Sequence, residues 1–312
     1  MLGIVLLNYK NYKETINCIE SINNNNIQIP YCVYVIDNCS PNESYEVLKD
    51  KYGNHNNIKV VKNENNNGFS AGNNVGFKLA IKDGCDYILC TNTDVIFREN
   101  CINILYNELK SDVNCAVIGP KVFCPDGSIQ NANKGILDAK TFLLRKKGFR
   151  IFDWTGLNKK YTYADYDYSK PLILSGMVSG CCFMIRASVL ENIDYLDENV
   201  FLYHEEDILG AKIRNTNKYY VKLFPNAEII HKGGASTSES ENAFTRFHKM
   251  RSGMYFLWVY TNTSLIQYNA LKNCFILMFN AIGIVKKEYR KSGKKLNKEL
   301  AMIPKNYEKY KI

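Results

Sequence analysis

The chain has 312 residues, 46% hydrophobic and 23% charged, with a formal net charge of +9. That composition marks a globular protein with room for one large α/β domain, with or without an appendage, and a sizeable core. Its eleven cysteines are odd in number, scattered and never spaced C-x-x-C. This excludes a zinc clamp of that kind and a small disulfide scaffold, and reads as reduced thiols filling the core of a cytosolic protein.

Leu2 to Leu7 is an apolar run of strand length without the basic region of a signal peptide, so a buried strand is expected there. Asn11 and Glu14 have the spacing of a capping box ahead of Ile16, Ile19 and Ile22, which predicts a helix. Tyr31 to Ile36 repeats the strand pattern and stops at Asp37 and Asn38, with turn residues Ser40, Pro41 and Asn42 beyond. Two buried strands joined by a helix make a βαβ unit and hence a parallel sheet. The pattern continues through a strand at Ile58–Val61, a helix from about Ser70 to Lys82, and a strand at Tyr87–Cys90 that ends at Asn92-Thr93-Asp94. Ligands of open α/β sheets bind beyond the carboxyl ends of the strands, so Asn8, Asp37 and Asp94 should converge on one pocket.

From about Gly119 to Pro171 the period is lost, apart from a hairpin expected within KVFCPDGSIQNANKGILD, and this segment is assigned to an acceptor side. Regularity returns at Ser179–Ile185, an apolar strand, followed by a short helix near Ser188–Asn192 and a strand at Ala227–Ile230 that ends on His231.

Four strings at these junctions carry chemistry. VIDNCS ends the second strand on Asp37. NNGFSAGNNVGF, from Asn66, places glycines at a loop-to-helix junction, where a backbone can approach a ligand and a helix N-terminus favours diphosphate charge. CTNTDVIF offers the carboxylate of Asp94 to a divalent cation, although N-T-D alone also suits a turn or a helix cap. FLYHEEDILGAKIRN crowds Glu205, Glu206 and Asp207 at one helix start, where like charge and burial should raise at least one pKa; complementing the helix dipole is the plainer reading. A later string, FPNAEIIHKGGAS, ends its strand on His231.

Together these strings resemble glycosyltransferase family 2, with the GT-A fold, and particularly its rhamnosyltransferase-like branch, over about residues 2–240. The second string matches the family's N-x-G-F-A-x-G-x-N-x-G at Asn66, Gly68, Phe69, Gly72, Asn74 and Gly76, with Ser70 in place of Ala. The resemblance implies that Asp37 hydrogen-bonds the nucleotide base, and that Asn8, Asn38, Asn66, Gly68, Phe69, Gly72, Asn74, Asn92 and Thr93 line the donor site. It implies Mg2+ or Mn2+ held by Asp94, with His231 on the cation or the phosphate. Asn92 stands where the family's Asp-x-Asp signature has its first Asp. Glu206 is the implied general base, since both registers of the family's E-D pair include it, with Asp207 and Glu205 beside it.

The implied function is an inverting transfer of a sugar, with rhamnose from dTDP-rhamnose as a candidate, from a nucleotide diphosphate to a saccharide or lipid-linked acceptor in surface polysaccharide synthesis. Two alternatives are weighed against it. A nucleotidyltransferase would carry a glycine-rich basic loop after the first strand, where this chain has NYKNYKE. A sugar-nucleotide-binding scaffold would account for Asn92.

The positive charge gathers at the end: residues 286–312 hold ten Lys/Arg against three Glu. Before it, Gly253–Val285 is rich in Tyr, Phe, Trp, Leu and Ile, but its unbroken apolar pieces, FLWVY and CFILMF, fall short of the roughly 20 residues that span a bilayer. An amphipathic aromatic helix followed by lysines is therefore expected to dock on an anionic membrane surface and not on nucleic acid. The expected organisation is an α/β GT-A domain at 1–240, divided into a nucleotide-sugar half (1–118) and an acceptor half (119–240), with a helical basic membrane-associating tail at 241–312. The expected location is the cytoplasm, on the inner face of the cell membrane.

Overall fold

A computed structural model of the protein describes residues 1–130, 133–145, 154–163, 165–233 and 242–310. Its first part alternates strand and helix: β1 (Leu2–Asn8), α1 (Tyr12–Asn23), β2 (Tyr31–Asp37), α2 (Ser44–Tyr52), β3 (Ile58–Lys62), α3 (Phe69–Lys82) and β4 (Tyr87–Thr91). β1 lies between β2 and β4, and β2 pairs with β3, all in parallel. Alternate residues fill two cores, as the pleat requires: Ile4 and Leu6 face the side of α1 and α2, whereas Val5 and Ile36 face Phe77 and Ala80 of α3.

The second part is mixed. It comprises β5 (Val95–Phe97), α4 (Cys101–Ser111), β6 (Cys115–Phe123), α5 (Ala139–Leu144), α6 (Leu157–Thr162), β7 (Leu172–Leu174), β8 (Cys182–Arg186), α7 (Ala187–Asn192), α8 (Glu205–Asn215) and β9 (Tyr220–His231). β8 runs antiparallel to both β4 and β6, β6 runs parallel to β9, and β5 and β7 pair antiparallel with β9, giving the sheet order β3-β2-β1-β4-β8-β6-β9-β5. The expected α/β sheet flanked by helices is present, with its parallel pairings concentrated in the first half. The expected hairpin closes through Cys124 N donating to Ser128 O and Gln130 N to Val122 O, both at 2.8 Å.

Two local expectations fail. Asn11 precedes α1 but makes no side-chain capping bond, and the Glu14 side chain pairs instead with the ammonium of Lys232 at 2.6 Å. Gly253–Val285 is not one helix. FLWVY completes α9 (Ala243–Tyr260), Thr261–Ser264 breaks the chain, and CFILMF lies in α10 (Leu265–Val285), followed by α11 (Lys287–Asn306).

α9 is packed against the body. Ser252 Oγ donates to Leu202 O at 2.9 Å, and the hydroxyls of Tyr255 and Tyr260 both donate to Asp197 Oδ2, at 2.8 and 2.7 Å. Its buried residues share one core with Phe142, Val200, Ile208 and Ala211. α10 is long and apolar enough, by length and composition, to cross a membrane. Counting unbroken apolar runs missed this because Asn269, Lys272, Asn273 and Asn280 interrupt the sequence without ending the helix.

Candidate active site

Polar residues gather at the carboxyl ends of β1, β2 and β4, where register sets Asn8 beside Asp37 and Leu6 beside Thr91. Asp37 is fully buried and both its oxygens are held, Oδ2 by Asn8 Nδ2 at 2.7 Å and Oδ1 by the backbone N–H of Ser40 at 2.8 Å. Asn8 in turn accepts from Thr15 Oγ1 at 2.9 Å. Asn38 spans the loops after β2 and β3: its Nδ2 donates to Asn66 Oδ1 at 2.9 Å and its Oδ1 accepts from Asn63 Nδ2 at 3.0 Å. Asn8 and Asn38, expected at a donor, are buried and tied into the strand ends by these bonds, while Asn66, Phe69, Asn92 and Thr93 keep part of their surface exposed.

The glycine string also serves close packing of the chain on itself. Gly72 lets α3 sit on β1, since a Cβ there would stand 2.5 Å from Leu7 Cδ1, and Gly76 would drive a Cβ into Val5. Gly68, at φ 97°, is pressed against the backbone of Phe201, whose carbonyl accepts from Phe69 N at 2.9 Å. These glycines bring protein elements close to one another, joining the first half to the segment before α8. Asn74, expected at the donor, is buried and fully used: Nδ2 donates to Leu196 O and Glu198 Oε1 at 2.9 and 2.8 Å, and Oδ1 accepts from Leu196 N at 3.1 Å.

Beyond β4 the chain carries Asn92, Thr93 and Asp94 into β5, which pairs with β9 so that Val95 faces His231. His231 Nε2 lies 3.2 Å from Asp94 Oδ1, and His231 Nδ1 pairs with Gln130 Oε1 at 2.9 Å. Burial works to raise the Asp94 pKa, but the hydrogen bond and charge of His231 outweigh it and hold the carboxyl below its ordinary value. Among the described residues no group of three or more His, Cys, Asp or Glu is placed to hold a metal. A carboxylate and an imidazole whose far nitrogen is fixed by an amide do fit a cation that draws its other ligands from phosphate and water. The residues Gly234–Ser236 that close this string lie outside the described residues.

The three acids open α8 after Tyr203 and His204, both left-handed at φ 70°. Such backbone in non-glycine residues is strained by roughly 1 kcal/mol or more each and is typical of functional sites. Asp207 is buried, with a side chain 2% exposed, and both oxygens are held: Oδ1 by Tyr161 OH at 2.8 Å and Oδ2 by His204 Nδ1 at 2.7 Å. Burial opposes its ionisation, yet the Lys134 charge and the His204 hydrogen bond win, keeping it far below the usual carboxylate range.

Glu205 is buried too, and its Oε1 has no partner. Burial, then the charge of Glu206, pushes its pKa up to about 8. Glu206 alone of the three reaches the open side, with 21% of its side chain exposed and Oε2 at 3.1 Å from Lys134 Nζ. It lies against Gly180, where a Cβ would stand 2.6 Å from Oε1, and the next residue, Cys181, accepts a backbone bond from Asn92 N at 2.8 Å. Glu206 and the Asn92–Asp94 turn therefore flank the same two residues of the chain.

Lys134, Gln130 and Tyr161 escaped the sequence reading, because they come from the stretch without period and carry no motif. Lys134 is fixed by reciprocal backbone bonds with Met177 at 2.8 and 2.9 Å, a long-range bridge with no local signature.

The chain is similar to several known glycosyltransferases. The low-salt glycan biosynthesis hexosyltransferase Agl10 of Haloferax volcanii is 26% identical over 220 residues, which cover 69% of this chain and 62% of that protein. The N-acetylglucosaminyl-diphospho-decaprenol L-rhamnosyltransferase of Mycobacterium tuberculosis is 22% identical over 166 residues, 52% of each chain. The chain thus matches only about half to three fifths of the length of these relatives. Among solved structures, S. aureus TarS 1-349 in complex with UDP-GlcNAc superposes with a TM-score of 0.55 at 15% identity, covering 98% of this chain and 91% of that one. The mannosyltransferase PcManGT from Pyrobaculum calidifontis, in complex with GDP-Man and Mn2+, gives 0.53 at 11% identity, covering 97% and 85%. At these identities the structural likeness is one of fold. The model of glycosyl transferase family 2 matches residues 3–194, well over half of the chain, and the protein belongs to that family.

Proposed function

We propose that the chain is a metal-dependent, inverting glycosyltransferase that moves a sugar from a nucleotide diphosphate to a saccharide or lipid-linked saccharide acceptor in surface polysaccharide assembly, at the cytoplasmic face of the membrane. The observation that carries this reading is the placement of a partly exposed Glu206 against Gly180, next to Cys181, whose carbonyl accepts from Asn92 N two residues before Asp94 of the Asp94–His231 pair. The name of the mycobacterial relative favours rhamnose as the sugar and a lipid diphosphate as the acceptor's carrier.

In this reading Glu206 takes the proton of an acceptor hydroxyl as its oxygen bonds to the anomeric carbon, and the carbon–oxygen bond to the diphosphate breaks on the opposite face. Lys134 keeps the Glu206 carboxylate oriented, and Asp207 with His204 and Tyr161 holds the first turn of α8 in place. Asp94 and His231 would hold the divalent cation, which neutralises charge on the leaving diphosphate when bound. Asn66, Phe69, Asn92 and Thr93 are the expected donor contacts.

A second reading, a donor-binding scaffold, is favoured by Asn92 in place of a carboxylate. Donor hydrolysis with and without Mn2+, on the wild type and on Asp94→Ala, separates the two: the enzyme shows metal-dependent turnover that the variant loses, and a scaffold binds donor without turnover. Retention of anomeric configuration in the product would sink the inverting mechanism. A panel of sugar nucleotides screened by thermal shift with Mn2+ identifies the donor, because a tighter ligand raises the melting temperature more.

A further inference from the structure

α10 presents a largely apolar stripe that nothing among the described residues covers. Ile266, Leu277 and Ile284, separated by eleven and seven residues, or three and two helical turns, stand at nearly one angular position and are 83%, 68% and 76% exposed, with Ala270 and the polar Asn273 and Asn280 exposed between them. Only 28% of the helix's most apolar window is buried, so it is not the core helix of a globular domain. Its opposite face, with Tyr268, Phe275 and Phe279, is buried.

α10 and α11 form a tight antiparallel hairpin. Tyr268 OH donates to Leu300 O at 2.9 Å, a Cβ on Gly283 would lie 3.1 Å from the backbone of Arg290, and a Cβ on Gly293 would lie 3.2 Å from Phe279 Cβ. α11 buries Tyr289, Leu296, Leu300 and Ile303 and exposes Lys287, Arg290, Lys291, Lys294 and Lys298.

We propose that this hairpin docks the protein on an anionic lipid surface, with α10 lying in the plane of the interface and the α11 lysines on the headgroups. Length and composition alone would let α10 span a bilayer, but its buried face is bound to α11, and spanning would carry that row of cations into hydrocarbon. A second copy of the chain meets the opposite difficulty, since pairing through the stripe would bring two lysine-rich helices to one interface. An anionic bilayer accepts both features at once: the stripe enters the acyl boundary, and the lysines meet lipid phosphates. The docking element is thus α10, while FLWVY, the aromatic piece that draws attention in the sequence, is committed to the core.

The proposal deepens the lipid-linked acceptor reading and rests on it only for the purpose of docking; binding to vesicles is measured without any transfer reaction. The full chain is sedimented with vesicles of phosphatidylcholine alone and with one third phosphatidylglycerol. Wild type should partition to the anionic vesicles at least tenfold more strongly, less so at high salt. Ile266→Asn/Leu277→Asn/Ile284→Asn should lose at least tenfold of that binding with its melting temperature unchanged, since the three side chains are exposed. Lys287→Gln/Lys291→Gln/Lys294→Gln should reduce binding and abolish most of its salt dependence. Equal binding to neutral vesicles, undiminished binding of the apolar triple variant, or a dimer in solution that this variant dissolves would each overturn the proposal. Failure of donor turnover in the same preparations would count against the proposed enzyme and leave the docking result standing.

Discussion

The two halves of the sheet differ in how they hold their polar groups. Where β1, β2 and β3 end, the polar groups satisfy one another: Asn8, Asp37 and Ser40 form one set, and Asn38, Asn63 and Asn66 another. Around α8 the three acids are kept unequal, with Asp207 held as an anion, Glu205 buried with an unpartnered oxygen, and Glu206 partly exposed beside Lys134. A satisfied network makes a rigid cradle. An uneven one leaves a group able to accept a proton. The difference suits the proposed reading, with donor binding in the first half and proton transfer in the second.

Replacing the proposed base tests that division most severely. Glu206→Gln should lower kcat by about 10²–10⁴-fold while donor affinity, measured by calorimetry, stays close to wild type. A matching loss of donor affinity would erase the division between the halves. Gln130→Ala removes the amide that fixes His231 Nδ1 and should weaken Mn2+ affinity by about 10–100-fold, read by metal titration, with the melting temperature of the metal-free protein little changed.

Gly68 tests the seam between the halves. Gly68→Ala puts a Cβ into the Phe201 backbone at a left-handed position and should destabilise the fold by roughly 1–3 kcal/mol in urea unfolding. Gly84→Ala, also left-handed but with open space around it, should cost less and shows how much of the effect is contact.

The smallest expected effect is a pH dependence. Because the folded chain holds the Glu205 pKa at about 8 against an ordinary 4.5, it binds the extra proton between those values. That contribution to stability is complete below pH 4.5 and is lost as pH rises through 8. His248, pushed down to about 4 by burial and by Lys295 and Arg251, changes stability only below its ordinary 6.5. The melting temperature should therefore fall between pH 6.5 and 8.5 in the wild type and stay flatter in Glu205→Gln.

The sequence by itself determined the alternating strands and helices of the first half, the placing of Asn8 and Asp37 at the carboxyl ends of β1 and β2, and the acidic start of α8. Each of these rests on a local period or a short string: consecutive βα units repeat one pattern, and a parallel strand places its last residue at the ligand edge whatever its partners are. It also placed His231 at a strand end. What it did not contain was the β5–β9 pairing that sets His231 against Asp94, the reach of Lys134 to Glu206, or the ranking of three adjacent acids by burial. Nor did it show that Asn38 and Asn74 are consumed by internal hydrogen bonds, or that Gly72 and Gly76 serve helix–strand contact. Those outcomes join residues far apart along the chain. Burial, ionisation and hydrogen-bond occupancy depend on which distant side chain arrives, and only the tertiary structure decides that.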